Sequence, residues 1–357
     1  ICQQRSIALI VAAALLLSAL PWLGADAVQD PARAANGSSA PLLAWLLWLL
    51  GLAAIAALLR RHRQRLESLL YLGAVGLVVS LTFGALSAPD LLLTQLLVEV
   101  ASILLLLLAL HFLPPQSVAS DSTARRWRDG ALAAGSGLGI GALVYAVLTR
   151  AAPDSIAPWF LENALPGAAG ANAVNVIIVD FRALDTLGEI TVLGIAAVLI
   201  AALLPQGPTS PAAAPADDDR SPMLEITTRL MLPLTAIVAI WFFLRGHNLP
   251  GGGFIGGLVL AVGLLLPYLG SGAAWVEQRA PRDFEAWISW GLACATLTGV
   301  ASLALGYPFL TSAYVSPIAS AMFFDLGVFL TVAGATLLAL TRLGRVSDDT
   351  ASTGVSR

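Results

Sequence analysis

Long runs of apolar residues dominate this sequence and limit what it can fold into. Of its 357 residues, 58% are hydrophobic and 11% are charged, whereas a soluble domain carries about 25% charged residues. A helix needs about 20 mostly apolar residues to cross the hydrocarbon core of a bilayer. The runs therefore predict an all-α, polytopic membrane protein with about ten transmembrane helices, at residues 6–23, 41–59, 68–86, 91–113, 130–148, 187–204, 228–244, 253–270, 285–305 and 320–341.

The positions of the arginines give these predicted spans an orientation. All 19 basic residues are arginines. If the ten spans alternate, every arginine except Arg33, Arg150, Arg182 and Arg245 falls on one side of the membrane. Arginine and lysine are enriched in cytoplasmic loops. We therefore expect a multi-pass membrane protein with both termini in the cytoplasm.

A segment rich in proline and alanine divides the chain. Residues 205–222 read PQGPTSPAAAPADDDRSP, a composition typical of a disordered connector. This cytoplasmic linker would separate a six-span module at 1–204 from a four-span module at 223–345, and residues 346–357 are predicted to form a disordered tail. Because the chain starts at Ile1 rather than at a methionine, we also expect it to be a piece of a longer polypeptide.

Several function classes lack the residues that they require. The sequence contains no Walker A motif, no nucleophile elbow and no CxxCH or cysteine cluster. Cys2 and Cys294 are too isolated to indicate a metal site, and a net charge of −3 without a basic aromatic surface gives no support for nucleic-acid binding. What remains is a role in moving ions, protons or small solutes across the bilayer, with no enzymatic activity, metal or cofactor expected.

Glu99 is the acidic residue placed most deeply in an apolar run. It follows Asp90 by nine residues, which is about 13 Å along a helix and brings it near the middle of the bilayer. A carboxylate there costs about 2.5–3.5 kcal/mol unless water, a cation or a partner meets it, which favours an ion or proton path over a hydrogen bond between helices. Asp90 is equally consistent with a helix N-cap. His111, near the cytoplasmic end of the same span, is either a proton relay or a polar residue at the interface.

The segment before the sixth predicted span contains a short apolar strip, NAVNVIIVDFR, from Asn172 to Arg182. The strip is too short to cross the membrane, so we expect a re-entrant or interfacial backbone covered by protein. Asp180 and Arg182 would either pair with each other or form the mouth of a polar path. Glu189 lies three residues after Thr186, so it either completes a capping box or ends that path.

Asp325 and a glycine-rich turn are the candidates in the last four spans. Asp325 lies about 7 Å below the start of the tenth predicted span, too deep for an ordinary helix cap. In RGHNLPGGGFIGGL, Pro250 and the three glycines after it must break the helix. Two overlapping GxxxG pairs, which begin at Gly252 and Gly253, permit close helix packing. His247 would either titrate at the entrance to a cation path or cap the preceding helix.

These segments resemble a known family of transporters. PDLLLTQLLVE, VNVIIVDFR and DTLGEITVL resemble the C-terminal region of the A subunit of Mrp-type multisubunit Na+/H+ antiporters, and GHNLPGGGFIGG and SPIASAMFFDLGVFL resemble the B subunit. The resemblance implies Na+ and H+ as the transported ions and the other subunits of the complex as partners, including the antiporter-like region of the A subunit. It places the route acids at Glu99 and Glu189, with Asp90 and Asp325 as neighbours.

Two other functions stay open on the sequence alone. The chain could be a non-conducting scaffold that docks the antiporter-like subunit, with its acids joining helices. It could also be the ion-translocating arm of a redox complex related to membrane-bound hydrogenases, because the same modules occur there.

Overall fold

The computed structural model describes residues 42–110, 116, 123–149, 155–204, 222–271, 283–312, 314–315 and 318–354. Within these residues the chain is almost entirely helical, as a backbone must be where lipid cannot satisfy its polar groups. The elements are α1 (Leu42–Arg61), α2 (Arg65–Ala85), α3 (Pro89–Leu110), α4 (Thr123–Thr149), α5 (Ala157–Ala168), α6 (Ala173–Val176) with the π-helical turn Ile177–Phe181, α7 (Ala183–Leu203), α8 (Pro222–Arg245), α9 (Gly253–Ser271), α10 (Phe284–Ala304), β1 (Tyr314–Val315), β2 (Ile318–Ala319) and α11 (Ala321–Gly354).

The helices confirm a polytopic, all-α membrane protein, but not the count of ten spans. Among the described residues, seven helices are long and apolar enough to cross a membrane, namely α1, α2, α3, α4, α7, α10 and α11. Two further predicted spans appear as α8 and α9, whose apolar stretches Leu230–Arg245 and Gly253–Leu265 are shorter. The first predicted span, 6–23, and nearly all of the predicted linker lie outside the described residues.

The last helix is longer than the sequence pattern indicated. We expected a span ending at residue 341 and a disordered tail from 346, whereas α11 continues to Gly354. No proline interrupts this stretch, so nothing in it forces the helix to stop where the apolar run ends.

The chain divides into two compact units. The smaller comprises residues 1–45 and 117–156 and contains α4, and the larger comprises residues 46–116 and 157–357. The larger unit thus includes helices from both sides of the predicted linker, and within it α7 packs against α10 and α11.

The core of the larger unit lies around α11. Of the apolar stretch of α11, 67% is buried, whereas the other long helices bury at most 28%. Phe324, Val328 and Val332 are each at most 1% exposed and pack with Ile190 of α7 and Leu258 of α9. Since α11 is the central helix, an acid on its inward face is surrounded by protein.

Glycines allow α9 to approach its neighbours closely. At Gly253 a Cβ atom would overlap the carbonyl oxygen of Asp325, and at Gly257 it would stand 2.8 Å from that of Phe329. At Gly256 it would stand 2.8 Å from the carbonyl oxygen of Ala239 on α8. The close packing predicted from the GxxxG pairs is therefore present inside the chain, against α11 on one side and α8 on the other.

Candidate functional site

A cavity of about 210 Å³ lies in the larger unit between α3, the π-helical turn, α7, the turn before α9, and α11. Hydroxyl, amide and carboxyl groups from several of these segments line it: Asp90, Thr94, Asn175, Thr186, Glu189 and Asp325. Three acids that the sequence singled out separately thus border one space.

The glycine-rich turn before α9 supplies backbone donors to two of these acids. Gly251 N donates to Asp90 Oδ1 over 3.0 Å, and Gly253 N donates to Asp325 Oδ2 over 2.8 Å. Gly252, between them, has a φ of 109°, which residues with a side chain rarely adopt. The predicted helix break is present, and the backbone amides at the N-terminus of α9 favour negative charge at this position.

Asp90 connects three parts of the chain. It is 9% exposed and lies in the first turn of α3, which begins at Pro89, so it is not the N-cap that the sequence allowed. Besides Gly251, it accepts hydrogen bonds of 3.3 and 3.4 Å from Asn172 Nδ2. Its carboxylate therefore holds the turn and the start of α6 against α3.

Asp325 is as buried as Asp90 but has fewer donors. It is 8% exposed, and the amide of Gly253 is the donor that the described residues offer to its carboxylate. Phe324 and Val328 around it are almost fully buried. A carboxylate in such apolar surroundings is stable only with a proton, a cation or further donors.

Two asparagines of the apolar strip have roles that the sequence pattern did not assign. Asn172 caps α6 and donates through Nδ2 to the carbonyl oxygens of Gly246 and Leu249, at 3.1 Å each. Asn175 lines the cavity and is 3% exposed, and its Oδ1 receives no hydrogen bond from the described residues. The only signal in the sequence was the presence of two amides in an apolar run.

The strip follows a sharp bend in the chain, and its re-entrant or interfacial position stays a prediction. The helix before it, Ala157–Ala168, and the helix within it, Ala173–Phe181, are bent by 78° relative to each other, as in a broken span or a re-entrant loop. Asp180 accepts a 3.1 Å hydrogen bond from Ser312 N, and Arg182 pairs with Asp185. The alternative in which Asp180 and Arg182 pair with each other is therefore wrong.

The capping-box alternative for Glu189 is also wrong. The helix α7 begins at Ala183, so Thr186 lies inside it, and the Thr186 hydroxyl donates to the carbonyl oxygen of Ile178 over 2.6 Å. That oxygen belongs to the π-helical turn, where the helical hydrogen-bond pattern is interrupted. Glu189 itself is exposed and borders the cavity.

His247 ties the end of α8 to the bent pair. It is 8% exposed, and its Nε2 lies 3.0 Å from the carbonyl oxygen of Ala168. Because a carbonyl oxygen only accepts, Nε2 carries the proton in this contact. The residue therefore caps the end of α5. The alternative in which it caps the preceding helix, α8, is wrong.

Glu99 lies apart from the cavity. Its half-buried side chain on α3 packs against Gly76 of α2, where a Cβ atom would overlap the carboxylate. The residue is not among those that line the cavity. His111, the other candidate on this span, lies outside the described residues.

Three family models match successive parts of this chain. A model for the D subunit of MBH matches residues 49–115, and a model for the E subunit of MBH matches residues 124–216. A third model, described as "Domain related to MnhB subunit of Na+/H+ antiporter", matches residues 223–338.

Curated relatives match the whole chain or its two parts. A probable A/B subunit of a K+/H+ antiporter of Rhizobium meliloti (strain 1021) is 42% identical over 383 residues, covering 96% of this chain and 38% of the relative. The A subunit of the Na+/H+ antiporter of Bacillus subtilis (strain 168) is 39% identical over 40% of this chain and 18% of its own length. The B subunit of the Na+/H+ antiporter of Alkalihalophilus pseudofirmus is 38% identical over 36% of this chain and 92% of its own length.

A solved structure matches the fold. One polypeptide of the Mrp complex from Dietzia sp. DQ12-45-1b aligns with a TM-score of 0.80 and 31% identity over 96% of this chain and 38% of its own length. This chain therefore spans little more than a third of the Rhizobium meliloti relative and of that solved polypeptide.

Proposed function

We propose a function from the premise that this chain belongs to the family of multisubunit Na+/H+ antiporter subunits, with a part like the A subunit before the linker and a part like the B subunit after it. The chain contributes part of the route by which a monovalent cation or a proton crosses the membrane. The acids Glu189 and Asp325 at the cavity form that part of the route, and Asp90 beside them holds the wall of the cavity through its hydrogen bonds to Gly251 and Asn172.

The carboxylate of Asp325 is the observation that carries this proposal. It is buried in the central helix, with one backbone donor from the described residues, and it borders a cavity that several water molecules would fit. A buried carboxylate is stabilised by a proton or by a cation. Either one neutralises its single negative charge, so binding of one opposes binding of the other. Competition between the two ions for one carboxylate is the chemistry that an exchanger needs.

The remaining candidates take other positions on the route. Glu189, exposed at the edge of the cavity, passes ions between the cavity and the neighbouring subunits. Glu99, against α2, belongs to a separate stretch of the path, together with His111 farther along the same predicted span. The entrance to the route lies, in this proposal, near the turn at Pro250 and near His247, Asp180 and Arg182.

The chain acts with partners rather than alone. We propose that it works in the bacterial inner membrane, with both termini in the cytoplasm, next to the antiporter-like region of the A subunit and the other members of the complex. In this proposal it has no enzymatic activity and no resident cofactor, and Na+ or K+ and H+ are its cargo.

The test is an Asp325→Asn variant of the full-length polypeptide, co-expressed with its partner subunits. In everted membrane vesicles the variant is expected to lose at least about 90% of the Na+- or K+-dependent collapse of the pH gradient, since asparagine cannot exchange a proton. Glu285→Gln is the matched control, because Glu285 pairs with Arg342 at the exposed start of α10. Full activity of Asp325→Asn in an assembled complex would refute the proposal.

A scaffold function is favoured by one observation, the hydrogen bonds that join Asp90 to Gly251 and Asn172. If the acids only hold helices together, the Asp325→Asn variant would fail to assemble. Native gels of the solubilised membranes separate that outcome from an assembled but inactive complex. Co-purification with subunits that carry nickel–iron or iron–sulfur centres would instead favour the arm of a redox complex.

A further inference from the structure

We propose that the cavity binds a partly dehydrated alkali cation and that the amide oxygen of Asn175 is one of its ligands, beside the carboxylate of Asp325. This inference rests on the proposed function, for which it identifies a ligand that carries no charge.

The first observation is the state of the Asn175 amide. The residue is 3% exposed and lines the cavity, yet its Oδ1 receives no hydrogen bond from the described residues. Folded proteins rarely bury a polar atom without a partner, and an exception calls for a functional reason. A cation is a partner that an acceptor oxygen can bind directly.

The second observation is the space that Gly252 leaves open. A Cβ atom at Gly252 would stand 2.7 Å from Asn175 Nδ2 and 3.4 and 3.8 Å from the two carboxylate oxygens of Asp325. The amide and the carboxylate therefore both lie within 4 Å of the same point. The space stays free because this residue has no side chain and its φ of 109° disfavours one.

The amide can face this space with either of its atoms. Rotation of the side-chain amide of Asn175 by half a turn exchanges Nδ2 and Oδ1, which differ in that one donates and the other accepts. In this structure Nδ2 is the amide atom toward the space, and in that orientation the amide presents a donor there. With Oδ1 toward the space, the amide and the carboxylate present oxygens to a cation together.

The ligand types favour an alkali cation. Among the residues that the structure describes, no three histidine, cysteine or acidic side chains lie close enough to hold a metal ion together, as a zinc or similar site would need. Asp90 already accepts hydrogen bonds from Gly251 and Asn172, whereas the buried carboxylate of Asp325 accepts one from Gly253 and keeps lone pairs for an ion. One carboxylate, one amide oxygen and a cavity of about 210 Å³ suit a singly charged ion that keeps several waters.

The test uses the full complex with Asn175→Leu, which removes the oxygen at nearly the same size, and Asn175→Asp, which keeps an oxygen and adds charge. In vesicles at fixed pH, Asn175→Leu is expected to raise the half-saturating Na+ or K+ concentration about tenfold or more with a smaller change in maximal rate. Asn175→Asp is expected to shift that concentration by at least about threefold, because charge among the ligands tunes cation affinity. NaCl or KCl should also raise the thermal unfolding temperature of the purified complex relative to choline chloride. This salt-dependent increase is expected to change in the same variants as the half-saturating concentration.

Asn163→Leu is the matched control, because Asn163 donates within its own helix to the Trp159 carbonyl oxygen and does not line the cavity. Unchanged half-saturation and unchanged salt stabilisation in Asn175→Asp would overturn the site, even if Asn175→Leu does not assemble. Stabilisation by Mg2+ or Ca2+ but not by alkali ions would overturn the ligand class. In either case, loss of transport in Asp325→Asn would still support the proposed function, whereas full transport in that variant would refute the function itself.

Discussion

Asp90 and Asp325 are both buried carboxylates, but the groups around them give them different tasks. Asp90 accepts hydrogen bonds from a backbone amide and from an asparagine in a distant segment, whereas Asp325 accepts one from Gly253. The first carboxylate is therefore fixed by the fold, and the second has free lone pairs for an ion.

Replacement of Asp90 by Asn should lower stability. Asparagine keeps one oxygen that accepts from Gly251 N, but its side-chain nitrogen would face the nitrogen donor of Asn172. A buried hydrogen bond to a charged group is then lost, which lowers the free energy of unfolding by about 1–3 kcal/mol. We expect a lower thermal unfolding temperature of the purified complex. Asp129→Asn is the control, because Asp129 pairs at the exposed start of α4. An unchanged unfolding temperature would contradict the role of Asp90 as a joint.

Replacement of Glu99 by Gln should affect the rate without affecting the cavity. Because Glu99 packs against Gly76 and does not line the cavity, we expect a lower maximal transport rate, by about tenfold or more, and an unchanged half-saturating cation concentration. The measurement is the same vesicle assay over a range of salt concentrations. Glu67→Gln at the exposed pair with Arg61 is the control, and a changed half-saturation in Glu99→Gln would contradict the separation of the two sites.

The sequence predicted the acids of the site better than its neutral members. A carboxylate stands out in an apolar run, so Asp90, Glu189 and Asp325 could be found from the pattern alone. Their convergence could not, since the partners Asp90 and Gly251 are 161 residues apart. Asn175 was not singled out as a cavity residue because an amide in a short apolar strip has no charge to mark it.

Among the described elements, the start of α9 is closely constrained by its neighbours. Gly253 both donates to Asp325 and lies against the backbone of α11, so a side chain there would have to push the two helices apart. Sequence patterns predicted this turn because proline and glycine act locally. They did not predict the extent of the bend or the π-helical turn, because those depend on contacts with Ser312 and Thr186.

A Gly253→Ala variant should therefore be destabilised. The added Cβ would overlap the Asp325 carbonyl oxygen, and overpacking of this kind costs about 1–3 kcal/mol or more. Gly188→Ala in α7 is the matched control, because none of the described residues lies within 4 Å of its Cβ position and alanine stabilises a helix by about 0.5–1 kcal/mol relative to glycine. The thermal unfolding temperature should fall in Gly253→Ala and rise in Gly188→Ala. Equal shifts in the two variants would contradict the close approach of α9 to α11.

At the scale of the whole molecule, the larger unit does not stop at the predicted linker. The helix α7, before the linker, packs against α10 and α11 after it, with Ile190 and Ala197 almost fully buried. The amino-acid composition marked where the chain could be flexible but carried no information about which helices meet across that point.

Cutting the chain at the linker should leave its two parts together. We expect that a protease site inserted between residues 205 and 221, once cleaved in membranes, gives two fragments that still co-purify through a tag on the C-terminal fragment. The apolar contacts of α7 with α11 provide the attraction. Release of the N-terminal fragment in mild detergent would contradict this, and an uncleaved sample is the control.

The cavity takes its residues from both sides of that linker, Asp90, Asn175 and Glu189 from one and Asp325 with the turn at Gly251–Gly253 from the other. A single polypeptide therefore supplies both parts in a fixed one-to-one ratio and at the high effective concentration that a tether provides. When the parts are separate proteins, each must find its partner by diffusion within the bilayer. Synthesis as one chain shortens the time for which a newly inserted carboxylate faces lipid without its donors.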